Sequence, residues 1–367
     1  MGEYLHQLPN WPHLTWSDDR VLPLLAEVRF RQGRFLGRME ALGFPLQEEA
    51  AFLTLTEDAI KTSAIEGEQL NRDDVRSSLA RRLGFDVEPR RPTNRDADGI
   101  VTMLLDASLH HEQPLTDERL FRWHADLFPA GRSGFSRVTT GAWRTGPMQV
   151  ISNPYGQAQV YHEAPSPDRL EMEMAAFLAW FNDEDGLDPV LRSAIGHFWF
   201  VSIHPFDDGN GRIARAIADL ALARSEQSSL RFYSMSSQIQ RERASYYDIL
   251  ETSRRGTLDI TTWIVWFLDC LGRAIDAAAA TLDSVLAKDR FWRTLRGQPL
   301  NERQRLMLNR LLDGFEGKLT TSKWAKIAKT SHDTALRDIS DLVERGIVIR
   351  DASGGRSTSY SLAHFSE

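Results

Sequence analysis

One cysteine in 367 residues, Cys270, leaves no partner for an intrachain disulfide and no thiolate cluster for a zinc site. Excess positive charge is missing as well. Forty-four Lys and Arg stand against 51 Asp and Glu, for a formal net charge of -7. That balance argues against coating nucleic acid or an anionic membrane through overall charge, and leaves only a local basic site. The start "MGEYLHQLPNWPHLTW" has neither the basic residues nor the apolar run of a signal peptide, and no apolar run approaches the ~20 residues of a membrane span. The expected location is the cytoplasm. No G-x-x-x-x-G-K-[ST] string exists, which excludes a P-loop.

What is present is mostly helical pattern. Apolar residues recur at helical spacing in "RVLPLLAEVRFRQGRFLGRMEAL" and in "EEAAFLTLTEDAIKTSAIEGEQL". A Pro- and charge-rich break, "GFDVEPRRPTN", precedes a helix from Asp96 to His111. Thr116 is an N-cap, with Asp117 and Glu118 in the first turn where the helix dipole favours them. From Arg132 to Pro167 the helical period gives way, and "MQVISNPYGQAQVYH" reads as a β-hairpin turning at Asn153 to Gly156. "DRLEMEMAAFLAWFND" is helical again, and "PVLRSAIGHFWFVSIH" is apolar nearly all round, as a helix at the centre of a domain would be. Helices are predicted over Ile213 to Leu222, in "RERASYYDILETSRRG" and in "LDITTWIVWFLDCLGRAIDAAAATLDSVLAK". The last part differs: three helical blocks, then "IVIRDASGGRSTSYSL", two short strands about a Gly-Gly turn, in the order of a winged helix-turn-helix.

Between the central helix and the next lies "SIHPFDDGNGRIARAIADL", Ser202 to Leu220. A surface turn with a core histidine would account for any one of its residues, but not for two arginines following the glycines into a helix. Gly209, Asn210 and Gly211 permit positive φ, and their N–H groups at a helix start form an anion nest. Arg212 and Arg215 lie about a turn apart and can reach one anion together. The pattern suits more than one phosphate. Gly209, Gly211 and Ala214 also satisfy G-x-G-x-x-A, but a helix precedes them where a dinucleotide fold needs a strand.

The string "HPFDDGNGRIAR" resembles the Fic motif H-x-F-x-[DE]-G-N-G-R-x-x-R at every specified position. The preceding helix, the hairpin (the family's flap) and "LTDERLFRWHADLF" stand in the family's order, over at least residues 115–255. The resemblance implies a mainly α Fic-type helical core with a β-hairpin flap. Its members mostly transfer AMP from ATP to protein hydroxyls. It makes His204 the general base, Asp208 the ligand of Mg²⁺ between the α- and β-phosphates, Asn210 with the backbone of Gly209 and Gly211 the α-phosphate site, and Arg212 and Arg215 the partners of the β- and γ-phosphates. Phe206 would anchor the loop and Asp207 would be solvated. Tyr247, rather than the adjacent Tyr246, would touch the base. The flap would present an extended segment of the target protein by strand pairing.

Upstream, Thr62 to Gly67 match [ST]-x-x-x-E-[GN], the inhibitory motif of Fic proteins. Thr62 and Glu66 share a helix face, and Gly67 is a candidate C-cap. By resemblance Glu66 would hold Arg215 away from the γ-phosphate. The expected organisation is an N-terminal helical region with the inhibitory helix over 1–95, a catalytic domain over 96–285 and a winged-helix domain over 286–367. The expected function is an autoinhibited adenylyltransferase acting on Ser, Thr or Tyr hydroxyls and releasing pyrophosphate. Self-modification and a homodimer stay open. The rivals are an ATP-sensing DNA-binding regulator, removal of AMP with Glu66 as base, and transfer of another nucleotide. Asp333, Asp338, Asp341 and Glu344 against Arg337 and Arg345, with Arg350 and Arg356 near the wing, make a poor footprint for DNA.

Overall fold

The computed structural model describes residues 4–84, 94–152, 159–312, 315, 317–351 and 358–363. In the N-terminal part, helix α1 (Asp18–Glu40) buries Val21, Leu25, Val28, Gln32, Phe35 and Met39. Spacings of three and four put these on one stripe. Helix α2 (Phe44–Ile65) opens with a proline in its first turn and ends at Glu66, with Gly67 at φ +88° just beyond. The positive φ is the usual way a helix is stopped, so Glu66 sits where the chain turns away. Helix α3 (Arg72–Leu83), which the apolar pattern does not reveal, is capped by the Asn71 side chain accepting the Asp73 and Asp74 N–H groups and stops at Gly84, φ +77°.

Helix α4 (Arg95–Leu109) precedes α5 (Asp117–Leu127), where Thr116 Oγ1 accepts the Arg119 N–H at 3.2 Å, as expected of the cap. Two antiparallel pairs follow. A minimal one joins β1 (Arg132–Ser133) to β2 (Ser136–Arg137), and the expected hairpin joins β3 (Gln149–Ser152) to β4 (Gln159–Glu163). The expected turn at Asn153 to Gly156 lies outside the described residues.

Helix α6 (Leu170–Phe181) leads to α7 (Pro189–Ile203), in which every residue from Val190 to Ile203 is buried. Helix α8 (Asn210–Glu226) packs along α7 more extensively than any other helix pair. At about 1.5–3 kcal/mol for each fully buried large apolar side chain, packing rather than polar contact fixes where these two helices sit. Helix α9 (Met235–Arg241), another element the sequence pattern did not reveal, packs against α2, and α10 (Arg243–Ser253) follows. A buried polar cluster ties α2 to α8: the Asp58 carboxylate accepts the Ser234 hydroxyl, and Arg231 bonds Asp219 at 3.1 Å. Burial, and after it the neighbouring Asp219, pushes the Asp58 carboxyl well up from the usual carboxylate range.

Two compact units divide the chain, Met1–Ala278 and Ala279–Glu367, with the boundary inside the 34-residue helix α11 (Thr261–Thr294). The first unit holds both the inhibitory-motif region and the helices around α7. The second contains α12 (Glu302–Leu312), α13 (Thr321–Ile327), α14 (His332–Glu344) and the antiparallel pair β5 (Val348–Arg350) and β6 (Tyr360–Leu362). Met307, Leu308, Trp324, Ile339 and Leu342 form its core. The Gly354–Gly355 turn and Arg356 lie outside the described residues. Among the described residues no helix is long and apolar enough to cross a membrane.

Candidate active site

The end of α7 aims the first residue of the motif. His204 is its C-cap, held at φ 52° and ψ 59° with its N–H on the Phe200 carbonyl. A left-handed histidine is uncommon and turns the chain sharply out of the helix. Its Nδ1 lies 3.2 Å from the Val201 carbonyl. A carbonyl only accepts, so Nδ1 carries the proton and Nε2 is left as the acceptor. Burial and the nearby Arg254 and Arg144 pull this imidazole down to about 4, keeping it neutral at pH 7.

Phe206 is fully buried, with His124 stacked on it at 4.1 Å between centroids and Trp143 at 4.9 Å. It anchors the loop as expected. Asp207, expected to be solvated, is part-exposed, and its Oδ2 also accepts the Thr139 N–H at 2.9 Å, pinning the segment before the hairpin. His124 itself bonds the Asp208 carbonyl through Nε2 and accepts the Gly141 N–H at Nδ1, each at 3.2 Å.

Gly209 has φ +81°, and a Cβ there would lie 2.9 Å from the Phe128 ring. Only glycine fits on both counts. The Asn210 side chain is 2% exposed and committed to the loop, Oδ1 accepting the Phe206 N–H and Nδ2 donating to the Phe206 carbonyl. The loop thus engages the amide oxygen and one of the two Nδ2 N–H groups. Asp208 has its Oδ1 on the Gly209 N–H at 2.6 Å and a side chain 45% exposed.

Above the start of α8 sits the end of α2. Arg215, 2% exposed, donates from Nε to Thr62 Oγ1 at 2.7 Å, and from Nη2 to the Thr62 carbonyl at 2.9 Å and Glu66 Oε1 at 2.8 Å. A Cβ on Gly211 would lie 2.3 Å from Glu66 Oε1. The Glu66 carboxylate therefore lies against the helix N-terminus, in the position an anion would take.

A second carboxylate, absent from the expected set, does the same to the other arginine. Glu68 Oε2 accepts from Arg212 Nη1 at 2.5 Å, and Arg212 is 3% exposed. Burial raises the Glu68 carboxyl while Arg212 draws it back. The repeat Glu66-Gly67-Glu68 is the sequence signal that could have found it. Among the described residues, Arg212 Nε and Arg215 Nη1 have no hydrogen-bond partner. Two buried guanidinium N–H groups left open beside a helix N-terminus fit a polyanionic ligand.

The tyrosines divide the labour. Tyr246 is buried, its hydroxyl 2.9 Å from His197 Nε2. Tyr247 places its hydroxyl 3.4 Å from the Ile65 carbonyl and 3.5 Å from Glu66 Oε2. Arg243 stacks over the Tyr247 ring and donates to the same Ile65 carbonyl at 2.7 Å. The structure thus brings Thr62, Glu66, Gly67, His204, Asp208, Gly209, Asn210, Gly211, Arg212, Arg215 and Tyr247 to one locality.

Comparison with known proteins finds similarity over this part of the chain. The sequence model of the Fic/DOC family matches residues 114–222. The chain carries a Fic domain. Residues 4–85 match a separate model described as a domain of unknown function, DUF4172. Proteins named protein adenylyltransferase Fic are 35% identical over 134 residues in Nematostella vectensis and 32% over 132 residues in Culex quinquefasciatus, each match covering 35% of this chain. The matches span 29% and 25% of those relatives, so this chain covers little more than a quarter of their length. Among solved structures, a Fic family protein from Desulfovibrio desulfuricans superposes with a TM-score of 0.56 at 21% identity, covering 97% of this chain and 99% of its own. A Fic domain-containing signalling protein from Bacteroides thetaiotaomicron gives 0.52 at 19%, covering 68% and 95%. These two similarities establish the Fic helical fold around the site.

Proposed function

We propose that the chain is an autoinhibited protein adenylyltransferase that transfers AMP from ATP to hydroxyl side chains of proteins and releases pyrophosphate. The observation that carries this reading is the Glu66 carboxylate lying on Arg215 over Gly211, an internal anion in a site whose remaining N–H groups call for phosphate. The names of the relatives support ATP as the nucleotide.

In this reading His204 takes the proton of the incoming hydroxyl at Nε2, its Nδ1–H being committed to Val201. The backbone N–H groups of Asn210 and Gly211 and the helix dipole hold the α-phosphate, and Arg212 and Arg215 neutralise the departing pyrophosphate. Catalysis is then chiefly positioning and charge neutralisation. Asp208 is the residue that would hold Mg²⁺. Among the described residues no group of three or more His, Cys, Asp or Glu could enclose a metal. A single half-exposed carboxylate suits an ion that draws its other oxygens from phosphates and water. When bound, Mg²⁺ supplies further neutralisation of phosphate charge. Tyr247, between Arg243 and Glu66, is the aromatic surface this reading gives to the nucleobase.

Inhibition in this reading has two arms. Glu66 occupies Arg215 and Glu68 occupies Arg212, so the pyrophosphate end of ATP must displace both carboxylates. The flap β3–β4 offers an edge along which an extended target segment can pair.

For the second unit we propose a winged helix-turn-helix serving protein contacts. The DNA-binding alternative draws no support from α14. Its Asp338 is buried against Arg303 and Asn301, while Asp341 stays exposed and is paired with Arg345 and Gln304. The remaining outer charges, Asp333, Arg337 and Glu344, sum to a single negative charge, which is no footprint for phosphates.

The deciding experiment incubates wild type and Glu66→Gly with ATP labelled at the α- or the γ-phosphate. Retention of the α-label alone on protein, greater in the variant, is the expected result. Nucleotide binding with no retained label in either protein would replace this reading with a sensor.

A further inference from the structure

The flap and the base meet through one side chain. Arg144, 2% exposed, lies just before the hairpin. Its Nε donates to the His204 carbonyl at 2.9 Å, its Nη1 to the Gly146 carbonyl at 2.8 Å, and its Nη2 to the Pro165 carbonyl. Its main-chain N–H adds a bond to the Pro205 carbonyl at 2.9 Å. Gly146 precedes β3 and Pro165 follows β4, and the Ala164 N–H to Met148 carbonyl bond closes the hairpin between them. One guanidinium therefore holds both feet of the flap and the carbonyl of the histidine.

The third of those contacts is the demanding one. His204 is in the left-handed region, which is strained for a residue with a Cβ and persists only where its neighbours hold it. Its two peptide ends are held, the N–H by Phe200 and the carbonyl by Arg144. A second strut runs from the flap itself. His162 in β4, 1% exposed, donates from Nε2 to the Ser202 carbonyl at 2.8 Å, two residues before His204. A planar guanidinium fixes three carbonyl directions at once, which an ammonium cannot.

We propose that Arg144, assisted by His162, is a positioning residue that registers the flap edge against Nε2 of His204 and so directs AMP to a protein hydroxyl rather than to water. This rests on the adenylyltransferase reading. In either outcome the acceptor oxygen bonds the α-phosphorus, the bond from that phosphorus to the pyrophosphate oxygen breaks, and the acceptor's proton passes to His204. A hydroxyl presented by the flap yields AMP-protein. Water needs no flap and yields free AMP. Loosening the flap from the base penalises the first acceptor more than the second.

The test uses the full chain carrying Glu66→Gly, alone or with Arg144→Lys or His162→Phe, and α-labelled ATP. Free AMP and label on the chain itself are measured together. With Arg144→Lys the ratio of free AMP to protein-bound AMP should rise about tenfold, a misplacement of under an ångström being enough, while ATP binding holds. With His162→Phe it should rise less, in the same direction. A ratio unchanged in both variants, or an equal fall in both products, overturns the proposal.

If the parent yields neither product, the adenylyltransferase reading fails and the brace is still decided by amide hydrogen exchange. Segments 146–165 and 200–206 should both exchange faster in Arg144→Lys, by about tenfold, while α4 is unchanged. Faster exchange in one segment only, or in neither, overturns the brace. Should Arg144→Lys fail to fold, the same two readouts on His162→Phe decide.

Discussion

Glu68 Oε2 lies 2.5 Å from Arg212 Nη1, two residues beyond the carboxylate that holds Arg215. The two pairs are unequal: Glu66 is 28% exposed and Glu68 is 42% exposed, while both arginines are buried. Water competes more strongly for Glu68, so its contribution is the smaller.

Glu68→Gln should therefore raise the initial rate of labelling from α-labelled ATP only about two- to fivefold, the scale of a partly exposed ion pair. Glu66→Gly should raise it about tenfold or more, since it also clears the anion position over Gly211. The double variant should exceed either. Rates at subsaturating ATP check this, and a Glu68→Gln rate at or below wild type would remove the second arm.

His204→Ala should abolish labelling in the Glu66→Gly background. The pH profile of that background is more informative. A base must be neutral to accept a proton, and the His204 imidazole is pulled down to about 4. Labelling per unit ATP should then be flat from pH 8 to about pH 6 and fall only as pH approaches the lowered value, instead of halving near 6.5.

Gly209→Ala should destabilise the first unit by about 1–3 kcal/mol, because the residue must keep a positive φ and its Cβ meets the Phe128 ring. Gly211→Ala presents a different problem. Its Cβ would collide with Glu66 Oε1, so it should weaken inhibition and fill the anion position together. Labelling should stay low in Gly211→Ala even when combined with Glu66→Gly, with a melting temperature close to wild type.

Acid should loosen the first unit from a higher pH than carboxylate titration alone would cause. His124, His162 and His197 are each at most 1% exposed, and burial holds all three below the ordinary histidine value, His124 at about 4. Arg254 adds to the effect at His162, and Arg215 and Arg254 add to it at His197. Between about pH 6.5 and pH 4 the unfolded chain binds protons that the folded chain does not. Stability from these groups is thus complete above pH 6.5 and declines as pH falls through that window. Urea unfolding at pH 7.5, 6 and 5 should show a falling midpoint, and a midpoint constant over that range would contradict the burial of these rings.

Where the sequence spoke clearly, one physical rule was enough. The nearly all-apolar run of α7 reads as a buried helix and is one, and the glycines with two following arginines read as an anion site at a helix start, where α8 does begin. Helices α3 and α9 escaped notice for a different reason. Their sequences, "RDDVRSSLARRL" and "MSSQIQR", carry few apolar residues, and they are helical through caps at Asn71 and Ser234 and through packing. Arg144 and Asp207 owe their importance to partners 60 and 68 residues away, which spacing along the chain does not convey.

In the proposed reading the end of α2 is at once a helix cap and a tenant of the nucleotide position, and that dual occupancy has a thermodynamic consequence. Whatever binds this protein by lifting Glu66 strengthens ATP binding, and ATP must strengthen the binding of that effector by the same factor. The affinity of an activating partner measured with and without ATP is thus a gauge of how far the brake has been released.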